Sequence, residues 1–356
     1  MTFSDPLALD FDFAERLIAW QRVSGRHALP WQVSQDPYPV WVSEIMLQQT
    51  QVETVIPYYR RFIERFPDVA ALAAAAEDDV LAHWSGLGYY SRARNLHAAA
   101  QKVMHAHGGR FPADATGLQG LPGIGRTTAA AIAAFAYGQR GAILDGNVKR
   151  VFARVFGVEG WPGEPAVEKR LWALAEVLLP QEDIARYTQG LMDLGATVCT
   201  RGRPRCGICP FANDCLAHGQ GRQRELPGTR PRKTLPERAV AMLVLHHAGE
   251  VCLEKRPARG IWGGLWGLPE CEAAASPAEA AVGLGFAVHE VRALPGLRHV
   301  FTHFRLAIAP WAISVASQGP SGPGRVWLPG EDLEGAAVPT PVRRILQMFF
   351  AEASRG

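Results

Sequence analysis

Residues 121–150 read LPGIGRTTAAAIAAFAYGQRGAILDGNVKR, and their reading decides the fold. Leu121-Pro122-Gly123-Ile124-Gly125 is a tight apolar hairpin. Two glycines one residue apart allow backbone angles that a side chain forbids. Arg126–Tyr137 comes next as a helix of small residues that neighbouring helices can approach closely, and Gly138 ends it. The first turn of such a helix presents unpaired N–H groups suited to a phosphate oxygen. Gly-x-Gly is also an ordinary way to enter a helix, so the residues beyond Gly138 carry the distinction. Asp145-Gly146-Asn147 sets a carboxylate at the start of a second helix bearing Lys149 and Arg150. The order is a phosphate cradle, a buried helix, then a carboxylate.

A chain of 356 residues accommodates two domains. At 48% hydrophobic and 20% charged it has ample core material. The net charge of +3 does not announce a polyanion as partner. Between Thr200 and Arg238, however, nine Arg and Lys face three Asp and Glu. Such a run is either a solvated linker or a footprint for phosphates. No apolar run reaches membrane-spanning length, and Met1–Asp10 lacks a basic-then-apolar leader, so a cytoplasmic protein is expected.

Upstream of the hairpin, Phe11–Val23 has helical periodicity with Asp10 as candidate N-cap. Asp36–Pro39 reads as a turn, and Val40–Thr50 as a mostly apolar helix. Glu44 lies in that helix, either on an exposed stripe or buried. Burial would keep it protonated near neutrality, as a general acid requires. Helices are expected over Pro57–Phe66, Glu77–Trp84, Tyr89–His107, Glu164–Leu179 and Ile184–Ala196. Gly86-Leu87-Gly88-Tyr89-Tyr90-Ser91-Arg92-Ala93-Arg94 joins glycines, aromatics and cations. It is a loop before a helix, or a wedge that enters a base stack.

Cys199, Cys206, Cys209 and Cys215 are spaced C-x6-C-x2-C-x5-C. In a reducing compartment four cysteines this close point to a metal centre rather than disulfides. Zinc bound by four thiolates is one occupant. Zinc sites more often use two C-x2-C pairs, and only one exists here. Arg201, Arg203 and Arg205 lie between the first two cysteines. Residues 219–238 are polar, basic and carry three prolines, the composition of a linker. Beyond them the periodicity changes to that of strands. Ala239–Leu245 and Val251–Lys255 form a hairpin turned at Ala248-Gly249. Ser276–Leu284 and Pro341–Ala351 are helical.

The string Trp41-Val-Ser-Glu-Ile-Met-Leu-Gln-Gln-Thr-Gln-Val52, the Gly86–Arg94 segment, residues 121–150 and the compact cysteine loop resemble one family. It is the helix-hairpin-helix DNA glycosylases of the endonuclease III superfamily, and within it the adenine DNA glycosylase (MutY) branch. The C-terminal half resembles the Nudix-like domain of that branch. The fold implied is an all-α helix-hairpin-helix domain over residues 1–218 with a [4Fe–4S] loop at 199–215. A basic linker at 219–238 and an α+β Nudix-like domain at 239–356 complete it. The activity implied is hydrolysis of the N-glycosidic bond of adenine paired with 8-oxoguanine or guanine in double-stranded DNA. The base is flipped out, and the protein is a monomer, associated with the nucleoid when acting and not with membranes.

By the same resemblance, Glu44 is the acid and Asp145 stabilises the sugar cation, with Asn147 and Thr127 beside it. Trp31, Leu47 and Val52 line the adenine pocket, and Gln189 helps read the base. Gln49, Thr50, Leu87 and Tyr89 face the opposite base, with Tyr89 as wedge. Phe301, Thr302 and His303 fall at the lesion. Gly123, Gly125, Arg126, Arg201, Arg203 and Arg205 contact the DNA backbone, and the four cysteines hold the cluster. The sequence departs from the family in two places. Many members have Tyr or Ser at the position of Thr127, and strand-cleaving relatives have Lys. Ser stands where Thr302 does. The region 278–285 has one acid, Glu279, where hydrolytic Nudix proteins carry a Glu-rich box, which suggests recognition rather than a second chemistry.

Overall fold

The structure, a computed structural model, describes residues 11–231, 234–257, 260–319, 324–333 and 335–353. It divides into two compact units. The first comprises residues 1–74 and 98–232; the second comprises residues 75–97 and 233–356. Helices run in the order α1 (Phe13–Ser24), α2 (Pro37–Leu47), α3 (Val52–Arg65), α4 (Val69–Ala74), α5 (Glu77–Trp84) and α6 (Ser91–His107). They continue with α7 (Ala115–Gln119), α8 (Arg126–Tyr137), α9 (Gly146–Val155), α10 (Pro165–Val177), α11 (Ile184–Asp193) and α12 (Leu216–Gly219).

In the first unit α1 is capped by the Asp12 carboxylate, which accepts the Glu15 amide. The expected cap, Asp10, lies outside the described residues. Phe13 of α1 stacks on Phe211 at 4.3 Å between ring centroids. The cysteine loop is thereby anchored in a core with Leu17, Phe152, Leu171 and Leu194. Helix α2 begins three residues before its expected start. Asp36 caps it, and Pro37 occupies its first position, where proline has no amide to waste. The expected turn is therefore the helix entrance. The helix stops at Leu47, so Gln49 lies beyond it in left-handed backbone, φ 60°. Helix α8 has the expected bounds, with Ala129–Ala134 buried and Gly138 left-handed. In the hairpin only Gly123 needs glycine's freedom, φ 78°. Gly125 is extended, and a side chain there would meet open space.

Helix α11 ends earlier than its apolar pattern suggested and runs into a π turn, Leu194–Val198. The wider turn frees carbonyls that arginines then take. Arg150 donates to Gly195 O at 2.7 Å, and Arg205 donates to Thr197 O at 2.6 and 3.0 Å. Much of the basic stretch after residue 218 is fastened to this unit: Gly228 N–H donates to Gly160 O, and Leu226 O accepts from buried Arg154. Composition alone gave no hint of these bonds.

The second unit is built on a mixed sheet of β1 (Glu237–His247), β2 (Glu250–Lys255), β3 (Trp266–Gly267), β4 (Glu270–Glu272), β5 (Val288–Ala293), β6 (Leu297–Val300), β7 (Arg305–Val315) and β8 (Arg325–Pro329). Strands β1 and β7 are parallel, and the other pairs are antiparallel. The β1–β2 hairpin turns at Ala248-Gly249, both left-handed, the geometry that matches strand twist. Along β1 the side chains alternate. Met242 and Val244 join the core beneath α14 (Thr340–Ala353). Leu243 and Leu245 join the core containing Ala281 of α13 (Pro277–Gly283). Each face of the sheet is thus covered by one helix.

Residues 75–97 group with this unit. Val80, Leu81 and Trp84 are fully buried. The Tyr90 hydroxyl donates to Val338 O, Arg343 donates to Ser85 Oγ, Arg94 donates to Gly263 O, and Lys255 pairs with Asp78.

Candidate active site

Glu44 projects from the middle of α2, a helix buried along most of its length because its residues are almost all apolar. The residue is 9% exposed. Burial pushes its pKa from 4.5 up to about 8, and the nearby Asp145 carboxylate pushes the same way. Asp145 caps α9 and accepts the Val148 amide at 2.8 Å. Burial raises its pKa too, but the amides of Val148 and Asn147 and the charges of Arg150 and Lys149 oppose the rise. Two carboxyls in one desolvated site cannot both ionise cheaply. Amides and cations favour the charged form at Asp145, whereas burial and the neighbouring carboxyl both favour the neutral form at Glu44. The two carboxyls are thus buried together in unlike surroundings.

The Thr127 hydroxyl is directed at the segment just before Asp145. Its Oγ1 accepts the Leu144 amide at 3.2 Å and braces the strand-like stretch that delivers the carboxylate. Asn147 Oδ1 accepts from Arg150 at 2.7 Å. Gly195 backs onto Asn147 so closely that a methyl group there would sit 2.5 Å from the Asn147 Cβ. Trp31 is buried, with its ring edge-on to Tyr59 at 5.3 Å. Leu47 and Val52 are half-buried on either side of the α2–α3 turn, in which Gln49 is exposed and Thr50 partly so. Gln189 donates to Asp193, a fully buried carboxylate that Arg26 also binds.

Two residues not singled out by the sequence connect this site. Gln48 donates to Gly123 O and Thr128 Oγ1, joining the turn after α2 to the hairpin. Arg154, only 3% exposed, donates to Thr200 O, Arg201 O and Cys199 Sγ. An arginine four residues after Arg150 reads as helix surface, and nothing in its spacing reveals that it is the post around which the cysteine loop is wound.

The four cysteines are free thiols lining one cavity beside Val151, Leu194 and Val198. Burial and the neighbouring thiols push Cys209 up to about 12. Thiols so placed make poor anions unless cations share the cavity, which fits a positively charged inorganic group. Among the described residues no three His, Cys, Asp or Glu side chains are close enough to grip one metal ion. Among the arginines expected at DNA phosphates, Arg201 and Arg203 are exposed. Arg126 pairs with Glu176 and lies over Trp172, and Arg205 is engaged by Thr197 O.

In the second unit, Tyr89 is 52% exposed and left-handed, φ 49°. Leu87, expected beside it at the opposite base, is instead buried, because the loop turns it inward. Arg92 fixes that loop by donating to Leu87 O and Gly88 O beneath the Tyr89 ring. Thr302 and His303 are exposed and Phe301 is half-buried. No described helix is long and apolar enough to cross a membrane.

Comparison with known proteins agrees with this arrangement. Residues 42–176 match the HhH-GPD superfamily of base excision DNA repair proteins, and residues 240–348 match the NUDIX domain. An adenine DNA glycosylase of Buchnera aphidicola is 34% identical over 95% of this chain and 97% of its own length. The adenine DNA glycosylase of Homo sapiens is 33% identical over 95% of this chain and 74% of its own. A thermostable thymine-DNA glycosylase has 28% identity and a TM-score of 0.52, covering 58% of this chain and 95% of that one. With its helical domain matched by a base-excision-repair family and its relatives aligned over nearly the full length, the chain belongs to the adenine DNA glycosylase family and is a DNA N-glycosylase.

Proposed function

We propose that the protein removes adenine paired with 8-oxoguanine or guanine from double-stranded DNA, flipping the base from the stack and hydrolysing its N-glycosidic bond. The observation that carries this reading is the buried Glu44 carboxyl beside the amide-capped Asp145. Adenine is a poor leaving group as an anion, so Glu44 delivers a proton to N7. The deoxyribose then becomes oxocarbenium-like, and Asp145 stabilises its charge or bonds briefly to C1′. Asn147, held by Arg150, and Thr127, holding Leu144, keep the Asp145 segment in place. Thr127 has no amine for an imine with the sugar, which supports a monofunctional enzyme.

The four cysteines fit a [4Fe–4S] cluster: the donors are all thiols and they line one cavity. The cluster would act as a four-point staple for the loop that carries Arg201 and Arg203 to DNA phosphates. In the second unit, the exposed Tyr89 suits a wedge, and exposed Thr302 and His303 suit the C8 carbonyl and N7 proton that distinguish 8-oxoguanine from guanine. Incubation with labelled A·8-oxoguanine, A·G and A·T duplexes tests the reading. Free adenine should come from the first two, with little strand cleavage before alkali and little borohydride trapping. Release of another base, or none, sinks it.

A further inference from the structure

We infer that Trp262 is a positioning residue that aims the Thr302–His303 tip, and so sets how sharply the protein separates 8-oxoguanine from guanine; this rests on the proposal that the tip reads the lesion. The tip is the turn of a two-residue hairpin. Val300 pairs with Arg305 across β6 and β7, and the Phe301 amide donates to Phe304 O at 2.9 Å. That bond closes the turn and leaves Thr302 and His303 as its exposed end. Strand β6 is four residues long and, among the described residues, pairs with β7 alone. Backbone bonds therefore hold the hairpin along one side only. The direction in which its tip points depends on side chains.

Those side chains form an aromatic stack. Phe301 lies on Phe304 at 4.6 Å with the planes 22° apart, and meets His299 edge-on at 4.6 Å. Both Phe301 and His299 rest on Trp262, at 5.4 and 5.7 Å. The Arg238 guanidinium covers Phe304 at 4.6 Å. Trp262 is thus the ring shared by the residue just before the tip and the strand that leads to it.

Trp262 itself is held at φ 55°, in the left-handed region that bulky side chains avoid. It stands among Gly260, Gly263, Gly264 and Gly267, so a glycine there would be the relaxed choice. The surrounding bonds over-determine the strained turn. Arg256 donates to Ile261 O, Arg94 donates to Gly263 O, Leu265 N–H returns to Trp262 O, and Gly264 N–H reaches Arg256 O. Arg256 is in turn fixed by Glu270. A strained non-glycine residue kept in place from several directions is a mark of a positional role. The ring it presents is the largest available, and its target is the hairpin.

The test uses the full-length protein and single-turnover rates on A·8-oxoguanine and A·G, read as their ratio. Trp262→Gly removes the ring and the backbone strain together. Trp262→Leu keeps an apolar body and serves if the glycine variant does not fold. Trp262→Phe keeps a ring. The tip is tested separately by Thr302→Ala/His303→Ala. The ratio should fall roughly three- to tenfold in the tip variant, the loss of about one ordinary hydrogen bond. A similar fall is expected in Trp262→Gly or Trp262→Leu, most of it recovered in Trp262→Phe. In the tip-variant background, removing Trp262 should lower the ratio no further, because both changes remove one coupled unit. A ratio lowered by the tip variant but untouched by Trp262→Gly and Trp262→Leu overturns the inference, as do losses that simply add. A ratio untouched by the tip variant overturns the lesion-reading proposal itself.

Discussion

The Asp145 carboxylate accepts the backbone amide of Val148 at 2.8 Å, so one side chain both caps α9 and serves the proposed chemistry. The two roles separate on substitution. Asparagine caps a helix about as well as aspartate, whereas alanine loses roughly 1 kcal/mol of cap. Asp145→Asn should therefore melt near the wild type, and Asp145→Ala several degrees lower. Both should lose adenine release by at least ~10²-fold, measured in single turnover. Near-normal release by Asp145→Asn would remove the cation-stabilising role.

Glu44 makes activity and stability respond to pH through one proton. Its folded pKa, about 8, lies above the ordinary value of 4.5. The acid is protonated below about 8, so excision should decline as pH rises through that value. The linked stability has this sign: the folded state holds a proton that the unfolded state has already released. The favourable contribution is complete below pH 4.5, erodes between 4.5 and about 8, and is gone above. Glu44→Gln has no such loss and should melt higher than the wild type at pH 8, while releasing adenine at least ~10²-fold more slowly. Melting curves at pH 5 and pH 8 decide it. A gap between variant and wild type that does not widen with pH would mean that Glu44 is ionised in the fold.

Gly195 has no room for a methyl group, since its Cβ would stand 2.5 Å from Asn147 Cβ. Gly195→Ala should push Asn147 and the start of α9 aside. Displacing a reacting constellation by about 1 Å costs on the order of 10²-fold in rate. The variant should remain folded by circular dichroism and fall by roughly that factor. Wild-type rates would show that the two backbones part without disturbing Asp145.

Protein purified without oxygen should be brown and carry about four irons per chain. Cys209→Ser should lose the colour and lower the melting temperature, because Phe211 and Arg154 hold the loop to the core on either side of that ligand. Stoichiometric zinc without iron would exclude the cluster.

The elements with local signatures were legible in the sequence. Helix α8 ends at a left-handed Gly138, and the β1–β2 turn needs two positive φ angles at Ala248-Gly249. Both are properties of a few adjacent residues. Glu44 was legible as a charge in an apolar helix, and that helix is indeed buried around it. Arg154 was not, because an arginine is normally solvated. Its guanidinium is held here by carbonyls and a thiol contributed by residues 45 to 72 positions away. The π turn escaped as well, since its freed carbonyls are satisfied by Arg150 and Arg205 from outside the helix. Trp262 lies in a glycine-rich loop whose conformation is set by Arg256 and by Arg94, the latter distant enough in sequence to leave no local signature.

The discontinuity of the second unit has a consequence for biosynthesis. Residues 75–97, with buried Val80, Leu81 and Trp84, leave the ribosome early, but the rest of their unit is encoded from residue 233 onward. At about 5–20 residues per second, this apolar segment waits on the order of ten seconds to a minute for its partners. The bonds of Tyr90 to Val338, Arg94 to Gly263 and Arg343 to Ser85 can close only after the second stretch has been made, so they are among the last of the fold to form.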